Sequence, residues 1–307
     1  MLLMLHFSSF LLIRKLVKEN RNVKRAKNIM MLTENSVIEG RYKVISELGI
    51  GEFGSVIKVF DVEDGIKKAL KIMPQEEKAF DRELKFLTAA THIEGITQLF
   101  SSFEFEDWRE LFGEDHGVSV KNLRRIMYSL GQTLMEIHSL GFVHRDLHAR
   151  NILVTQAQSK CKLKIIDFGV CVKKKEKNVY GPRSNLDEDD NAVSFTSARH
   201  SSIRVINGGE YEPQDDWISL VYVLIHYNGV RFSDDGMQMI FDKYGFDDKP
   251  HTLLRPDLHW IADCYQLLTN DFVDFETILT TISGDEPDFD VKSPIEFEET
   301  DGRLKFE

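Results

Sequence analysis

Cysteine is scarce. Cys161, Cys171 and Cys264 are the only three in 307 residues, no two form a C-x-x-C pair, and no histidines cluster at ligand spacing. A disulfide scaffold and a zinc module are thereby excluded, and a reducing, intracellular compartment is expected. Positive charge is short as well: 39 Lys and Arg stand against 50 Asp and Glu, a formal net charge of -11. That balance argues against nucleic acid as a partner. Long apolar runs are missing. The best candidate, MLLMLHFSSFLLI over residues 1–13, is short of the roughly 18 residues a membrane span requires. It also lacks the basic start and small-residue cleavage site of a signal peptide. No internal repeat is present.

What the chain does have is 42% hydrophobic and 29% charged residues, enough for one large or two modest cores and too much for a disordered or fibrous protein. Seven Lys/Arg and one Glu lie between Arg14 and Lys27. Apolar followed by basic has two readings, contact with an anionic membrane surface or a disordered extension, even one upstream of a functional start at Met30 or Met31. The expectation adopted is an N-terminal extension over residues 1–39, a folded domain over 40–284 and an acidic C-terminal tail over 285–307.

From Tyr42 the runs YKVISELG, SVIKVFD and IKKALKIM, rich in Val and Ile and bounded by Gly or Asp, predict an antiparallel sheet. Residues 75–90 carry Phe80, Leu84 and Leu87, a spacing that predicts one amphipathic helix. After Ser119 the pattern turns helical. Leu123, Ile126, Met127, Leu130, Leu134 and Ile137 form one stripe, with Ser119 as N-cap and Gly141 as the stop. Residues 217–227 are apolar nearly all round and predict a central buried helix. Further helical stretches lie at 260–268 and 272–282, and the acidic, Pro-punctuated tail beyond Gly284 is expected to be poorly ordered. The layout is α+β: a small sheet-rich lobe with one helix, then a larger helical lobe, with a cleft between.

Gly49-Ile50-Gly51-Glu52-Phe53-Gly54-Ser55-Val56 reads G-x-G-x-x-G-x-V between two predicted strands. Glycines there let the backbone fold closely over phosphates, although Gly-rich turns are common in hairpins. A strand follows rather than a helix, so the dinucleotide-binding form does not fit. Lys71, in Ala69-Leu70-Lys71, is either a solvated edge charge or an ammonium for phosphates held by a carboxylate. Glu83 is the best candidate for that carboxylate, while Glu76 and Glu77 complement the helix dipole. His144-Arg145-Asp146-Leu147-His148-Ala149-Arg150-Asn151 is followed by Ile166-Asp167-Phe168-Gly169. Asp146 is placed to accept the proton of an attacking hydroxyl, and Asn151 and Asp167 offer oxygen ligands for Mg2+. The alternative, a helix-end cluster with a chance turn, requires all of these ordered motifs to coincide by accident.

In this order the motifs resemble the signature set of eukaryotic protein kinases, over about Tyr42 to Ile282. The resemblance implies a bilobal kinase-like fold, ATP and Mg2+ as cofactors and a protein substrate. It places Gly49, Ile50, Gly51, Glu52, Phe53, Gly54, Val56, Ala69 and Lys71 around ATP, pairs Lys71 with Glu83, makes Asp146 the catalytic base, and gives the metal to Asn151 and Asp167. Phe103-Glu104-Phe105-Glu106 resembles a gatekeeper and hinge, with the Glu104 backbone on adenine; a polar loop is the other reading. SARHSSI over 197–203 and DDWISLVYVL over 215–224 resemble the casein kinase 1 superfamily, tau-tubulin kinases in particular. A monomeric Ser/Thr kinase, cytoplasmic or nuclear, is the expectation.

Departures from that pattern are visible. Only 52 residues separate His92 from His144, a shorter stretch than the superfamily's, so one strand or the turn to the hinge must be compressed. His148 stands where Ser/Thr kinases place a lysine, and Arg150 is expected to substitute for it, an arrangement nearer the tyrosine-kinase loop. Val230-Arg231-Phe232-Ser233 replaces L-P-W, and Thr196 replaces a glycine. The short hinge region and His148 favour a rival reading, a pseudokinase acting as a binding or scaffolding module, against which Lys71, Asp146, Asn151 and Asp167 weigh. A small-molecule kinase is disfavoured by residues 197–203. Lys173-Lys174-Lys175-Glu176-Lys177 reads as a solvated face rather than a substrate site, Cys171 as an unactivated thiol, and Ser194, Thr196 and Ser197 as either phosphorylation sites or ordinary loop hydroxyls. Arg199 reads as a phosphate contact or a surface ion pair.

Overall fold

In a computed structural model, which describes residues 2–6, 11–15, 34–38, 40–51, 54–74, 78–96, 118–157, 160–174, 199–284, 287–300 and 303–306, the Val/Ile runs after Tyr42 pair as an antiparallel sheet. The strands are Leu2–His6 (β1), Leu11–Lys15 (β2), Val37–Ile38 (β3), Tyr42–Gly51 (β4), Gly54–Asp61 (β5) and Ile66–Pro74 (β6), in the order β1-β2-β6-β5-β4-β3. Strand periodicity sends Ile57 and Val59 of β5 to one face, where they join Ile38, Tyr42, Val44, Leu70 and Ile72. On β6, Ala69, Lys71 and Met73 take the opposite face, also buried. Helix Lys78–Ala89 (α1) follows. These elements and Asp167–Val170 make up the first of two compact units, Met1–Glu104 with Asp167–Val170; the second is Phe105–Ile166 with Cys171–Glu307.

The apolar start differs from the expected disordered extension. β2 runs parallel to β6 with Leu12 opposite Lys71, and β1 pairs antiparallel with β2. The physical reason is the edge of β6, whose unpaired N–H and C=O groups accept any β-prone neighbour. Residues 16–33, including Met30 and Met31, lie outside the described residues.

The second unit is built on Val120–Ser139 (α2). Its predicted stripe from Leu123 to Ile137 is buried, Ser119 Oγ accepts the Asn122 N–H, and Gly141 ends the helix at φ 79°. Strands Phe142–Val143 (β7), Ile152–Ala157 (β8), Lys160–Ile165 (β9) and Val172–Lys173 (β10) form two hairpin-like pairs, β7 with β10 and β8 with β9. Pro213–His226 (α3) is the central buried helix; the ideal Cβ of a residue replacing Gly131 on α2 would sit 2.3 Å from its Trp217 ring. Helices Gly236–Asp248 (α4), His259–Leu268 (α5) and Phe275–Ser283 (α6) follow it along the chain. The tail also differs from expectation. Asn122 pairs both ways with the Glu296 backbone at 2.7 and 2.9 Å, Ile295 bridges Cys161, and Phe297–Thr300 (β11) pairs with Arg303–Phe306 (β12). Buried Val291 and Ile295 supply apolar anchors that acidic composition conceals.

Asp61, fully buried at the end of β5, is gripped by Arg41 through two hydrogen bonds of 2.8 Å, by Lys68 at 2.6 Å and by the Glu63 N–H at 3.0 Å. Burial pushes this carboxyl up, but the Arg41 and Lys68 contacts outweigh it and hold it well below the usual carboxylate range. With the folded value below the unfolded one of about 4, its stabilisation is complete above that pH and is lost as pH falls towards the folded value. Urea unfolding should show Asp61→Ala destabilised by about 3–5 kcal/mol at neutral pH, with a smaller loss of stability on acidification than the wild type shows.

Candidate active site

In the first unit, β6 and α1 bring Lys71 and Glu83 together, and Asp167 joins them. Lys71 Nζ lies 2.8 Å from Glu83 Oε2 and 2.8 Å from Asp167 Oδ1. Desolvation lowers the lysine's proton affinity, yet the two carboxylates more than compensate and hold its pKa above the ordinary value. The buried face of α1 is therefore Phe80, Glu83 and Phe86, not the expected Phe80–Leu84–Leu87 stripe; Leu84 and Leu87 are half-buried. An acidic residue occupies its middle because a partner lysine meets it there. Phe86, one turn on, stacks on Phe168 with centroids 3.9 Å apart. Asp167 adopts φ 62°, a conformation costly for a non-glycine residue, and its Oδ1 accepts the Gly169 N–H.

Two carboxylates share one ammonium; burial, with the Asp167 charge beside it, pushes the Glu83 carboxyl up despite Lys71, and the Asp167 side chain remains 29% exposed. A hard, oxygen-seeking cation such as Mg2+ fits such a carboxylate, since it takes few protein ligands and keeps waters or phosphates. Among the described residues no three His, Cys, Asp or Glu side chains group as a metal site. The glycine-rich turn is described at Gly49, Ile50, Gly51 and Gly54, with Ile50 exposed; Glu52 and Phe53 lie outside the described residues. Gly54 has a packing reason the sequence reading missed: an ideal Cβ there would sit 2.1 Å from the Ile72 carbonyl oxygen. Val56 lies opposite Lys71 in the β5–β6 register.

In the second unit the loop from His144 to Asn151 hangs on Asp216, a buried carboxylate at the start of α3. Its Oδ2 accepts the His144 N–H at 2.8 Å and meets His138 Nε2 at 2.8 Å; its Oδ1 accepts the Arg145 N–H at 2.9 Å. Burial pushes this carboxyl up, and the His138 contact and loop N–H outweigh it, leaving it below the ordinary value. Arg145 sits at φ 73° and is held there by this clamp. Sequence reasoning missed Asp216 and His138 as site residues. The available signal was a pair of carboxylates, Asp215 and Asp216, heading a helix that is apolar beyond them, where buried charge must find donors.

His144 Nδ1 accepts the Asp146 N–H at 3.3 Å, so its proton resides on Nε2, which donates to the Ile166 carbonyl at 3.0 Å. Asn151 donates from Nδ2 to the Asp146 carbonyl (2.8 Å) and to Asp146 Oδ2 (3.2 Å), which turns its amide oxygen away from Asp146 as a ligand atom. Burial raises the Asp146 carboxyl, but His148 and the neighbouring imidazoles bring it below its ordinary value. Arg150, expected to supply the loop's cation, is exposed; His148 is the side chain that reaches Asp146, at 3.5 Å. A three-residue 3-10 turn, Ala149–Asn151, swings Arg150 outward.

Other expectations resolve simply. Arg199 pairs with Asp234 in a surface ion pair, and Cys161, Cys171 and Cys264 are buried and none forms a disulfide. Glu104 with the rest of residues 103–106, Glu76, Glu77, Lys175, Glu176, Lys177, Ser194, Thr196 and Ser197 lie outside the described residues. Among the described residues no helix is long and apolar enough to cross a membrane.

A family profile described as protein kinase domain matches residues 42–233, more than half of the chain. Similar curated proteins include mitogen-activated protein kinase 14 of Xenopus laevis, 28% identical over 155 residues, covering 43% of this chain and 42% of that protein. MAP kinase-activated protein kinase 2 of Oryctolagus cuniculus is 30% identical over 160 residues (46% and 43%), and that of Mus musculus 29% identical over 163 (47% and 42%). The match thus spans less than half the length of these relatives. They do not support the casein kinase 1 or tau-tubulin kinase placement drawn from residues 197–203 and 215–224.

Asp216→Asn retains one acceptor oxygen and leaves one of the three donors without a partner. It should lower the unfolding free energy by about 1–3 kcal/mol. Hydrogen exchange at the His144 and Arg145 amides should accelerate, and unchanged exchange at both would show that the clamp is not what holds the loop.

Proposed function

The chain belongs to the protein kinase domain family, and we propose that it transfers the γ-phosphoryl group of ATP, with Mg2+, to serine or threonine hydroxyls of a protein substrate. The observation that carries this reading is Lys71, buried between Glu83 and Asp167 at 2.8 Å from each. Phosphoryl transfer asks mainly for positioning and charge neutralisation. Lys71 supplies a fixed cation for phosphate oxygens, preorganised by Glu83. Asp167 and Asn151 are the residues that would hold Mg2+, which when bound neutralises phosphate charge. Asp146, ionised at neutral pH, orients the attacking hydroxyl through its carboxylate and takes up the proton.

Preference for Ser/Thr is supported by the likeness to mitogen-activated protein kinase 14 and MAP kinase-activated protein kinase 2, against a His148–Arg150 loop nearer the tyrosine-kinase pattern. Three buried cysteines without a disulfide suit a reducing compartment, cytoplasmic or nuclear. The test is transfer of labelled γ-phosphoryl from Mg-ATP to casein and a mixed peptide library. Lys71→Met, Asp146→Asn and Asp167→Asn should each lower the rate by roughly a hundredfold or more while leaving the circular dichroism spectrum intact. Wild-type rates in any of the three would remove that residue's role. A folded, inactive wild type would return the pseudokinase reading, and phosphotyrosine as the main product would overturn the acceptor assignment.

A further inference from the structure

His148 makes three contacts that together define a job. It caps the 149–151 turn, its Nδ1 accepting the Arg150 N–H at 3.1 Å. A backbone N–H can only donate, so the ring's proton is on Nε2. That nitrogen lies 3.5 Å from Asp146 Oδ2, close enough to become a hydrogen bond if the site tightens when a substrate is engaged. The ring also stacks on His200, with centroids 5.0 Å apart. His200 is itself anchored, its carbonyl accepting from Ser219 Oγ at 2.6 Å, and the adjacent Ser201 carbonyl accepts from buried Lys243 at 2.6 Å. The cap thus holds the ring by its edge and the stack by one face, and the ring's remaining N–H faces one oxygen.

We propose that His148 is a positioning residue for the catalytic base, acting as a directed hydrogen-bond donor and not as a cation. Asn151 Nδ2 and His148 Nε2 both converge on Asp146 Oδ2. That sets the rotation of the carboxylate and presents Oδ1 to the acceptor hydroxyl. The role rests on the phosphoryl-transfer reading above, because it concerns the base of that reaction.

Three variants separate the contacts. Asn at 148 can accept the Arg150 N–H but is too short to reach Asp146; Gln carries an amide N–H far enough to reach it; Lys supplies charge without an acceptor or a fixed direction. His148→Asn should lower kcat about tenfold with the KM for ATP unchanged within about twofold, and His148→Gln should recover most of that loss. Wild-type kcat in His148→Asn, equal losses in Asn and Gln, or full activity in His148→Lys would each overturn the proposal. A readout independent of turnover keeps it separate from the kinase reading. Imidazole 15N NMR should show His148 as the Nε2–H tautomer, with the Nε2 resonance shifting in Asp146→Ala. An Nδ1–H tautomer, or no shift, contradicts the proposal even if the wild type phosphorylates protein, and the expected spectra uphold the geometry even if it does not.

Discussion

A buried ammonium cannot be left alone, and the placing of Lys71 organises the first unit around that demand. Its side chain leaves β6 on the face opposite the Leu70–Ile72 core and is buried, so it must meet acid at hydrogen-bond distance. Glu83 answers from the middle of α1 and Asp167 from a strained backbone at φ 62°. The helix face, the Phe86–Phe168 stack one turn along and the left-handed Asp167 follow from satisfying one charge. Asp167, shared with Lys71 yet 29% exposed, keeps carboxylate surface that suits a further cation.

The second unit repeats the principle with the signs reversed. Asp216 is a buried anion, and it is satisfied by two consecutive backbone N–H groups and an imidazole. A carboxylate that takes its donors from the loop's backbone fixes the path of the chain whatever the neighbouring side chains do. Arg145 can then hold a positive φ, and Asp146 follows with its carboxylate partly exposed and supported by Asn151 and His148. Rigid backbone below and donors beside it suit the role proposed for Asp146, a base that holds a hydroxyl in line.

The six apolar positions of α2 were legible because helical periodicity and burial coincide there, and the pairing of Lys71 with Glu83 was legible because opposite charges on a strand and the helix after it ask for each other. The buried face of α1 was not, since hydropathy cannot centre a stripe on a glutamate whose partner is twelve residues away. Asp216 and the tail escaped for a related reason. Asp216 meets the loop across 72 residues and Asn122 meets Glu296 across 174, contacts made to backbone groups that leave no compositional trace. Arg150 was read as the loop's cation from its type, whereas a single 3-10 turn turns it outward and leaves the imidazole of His148 on Asp146. Pairing of β2 with β6 depends on an open strand edge, and nothing in the residues 11–15 specifies that edge beyond their β propensity.

The central claim is that the Lys71–Glu83–Asp167 trio is a nucleotide-phosphate site completed by a divalent cation. Titration calorimetry with ATP in the presence and absence of Mg2+ tests it most directly. The account predicts binding that strengthens at least about tenfold with Mg2+, a dependence that disappears in Asp167→Asn. Binding of equal strength with and without Mg2+, or an Asp167→Asn protein that keeps the full Mg2+ dependence, would contradict it.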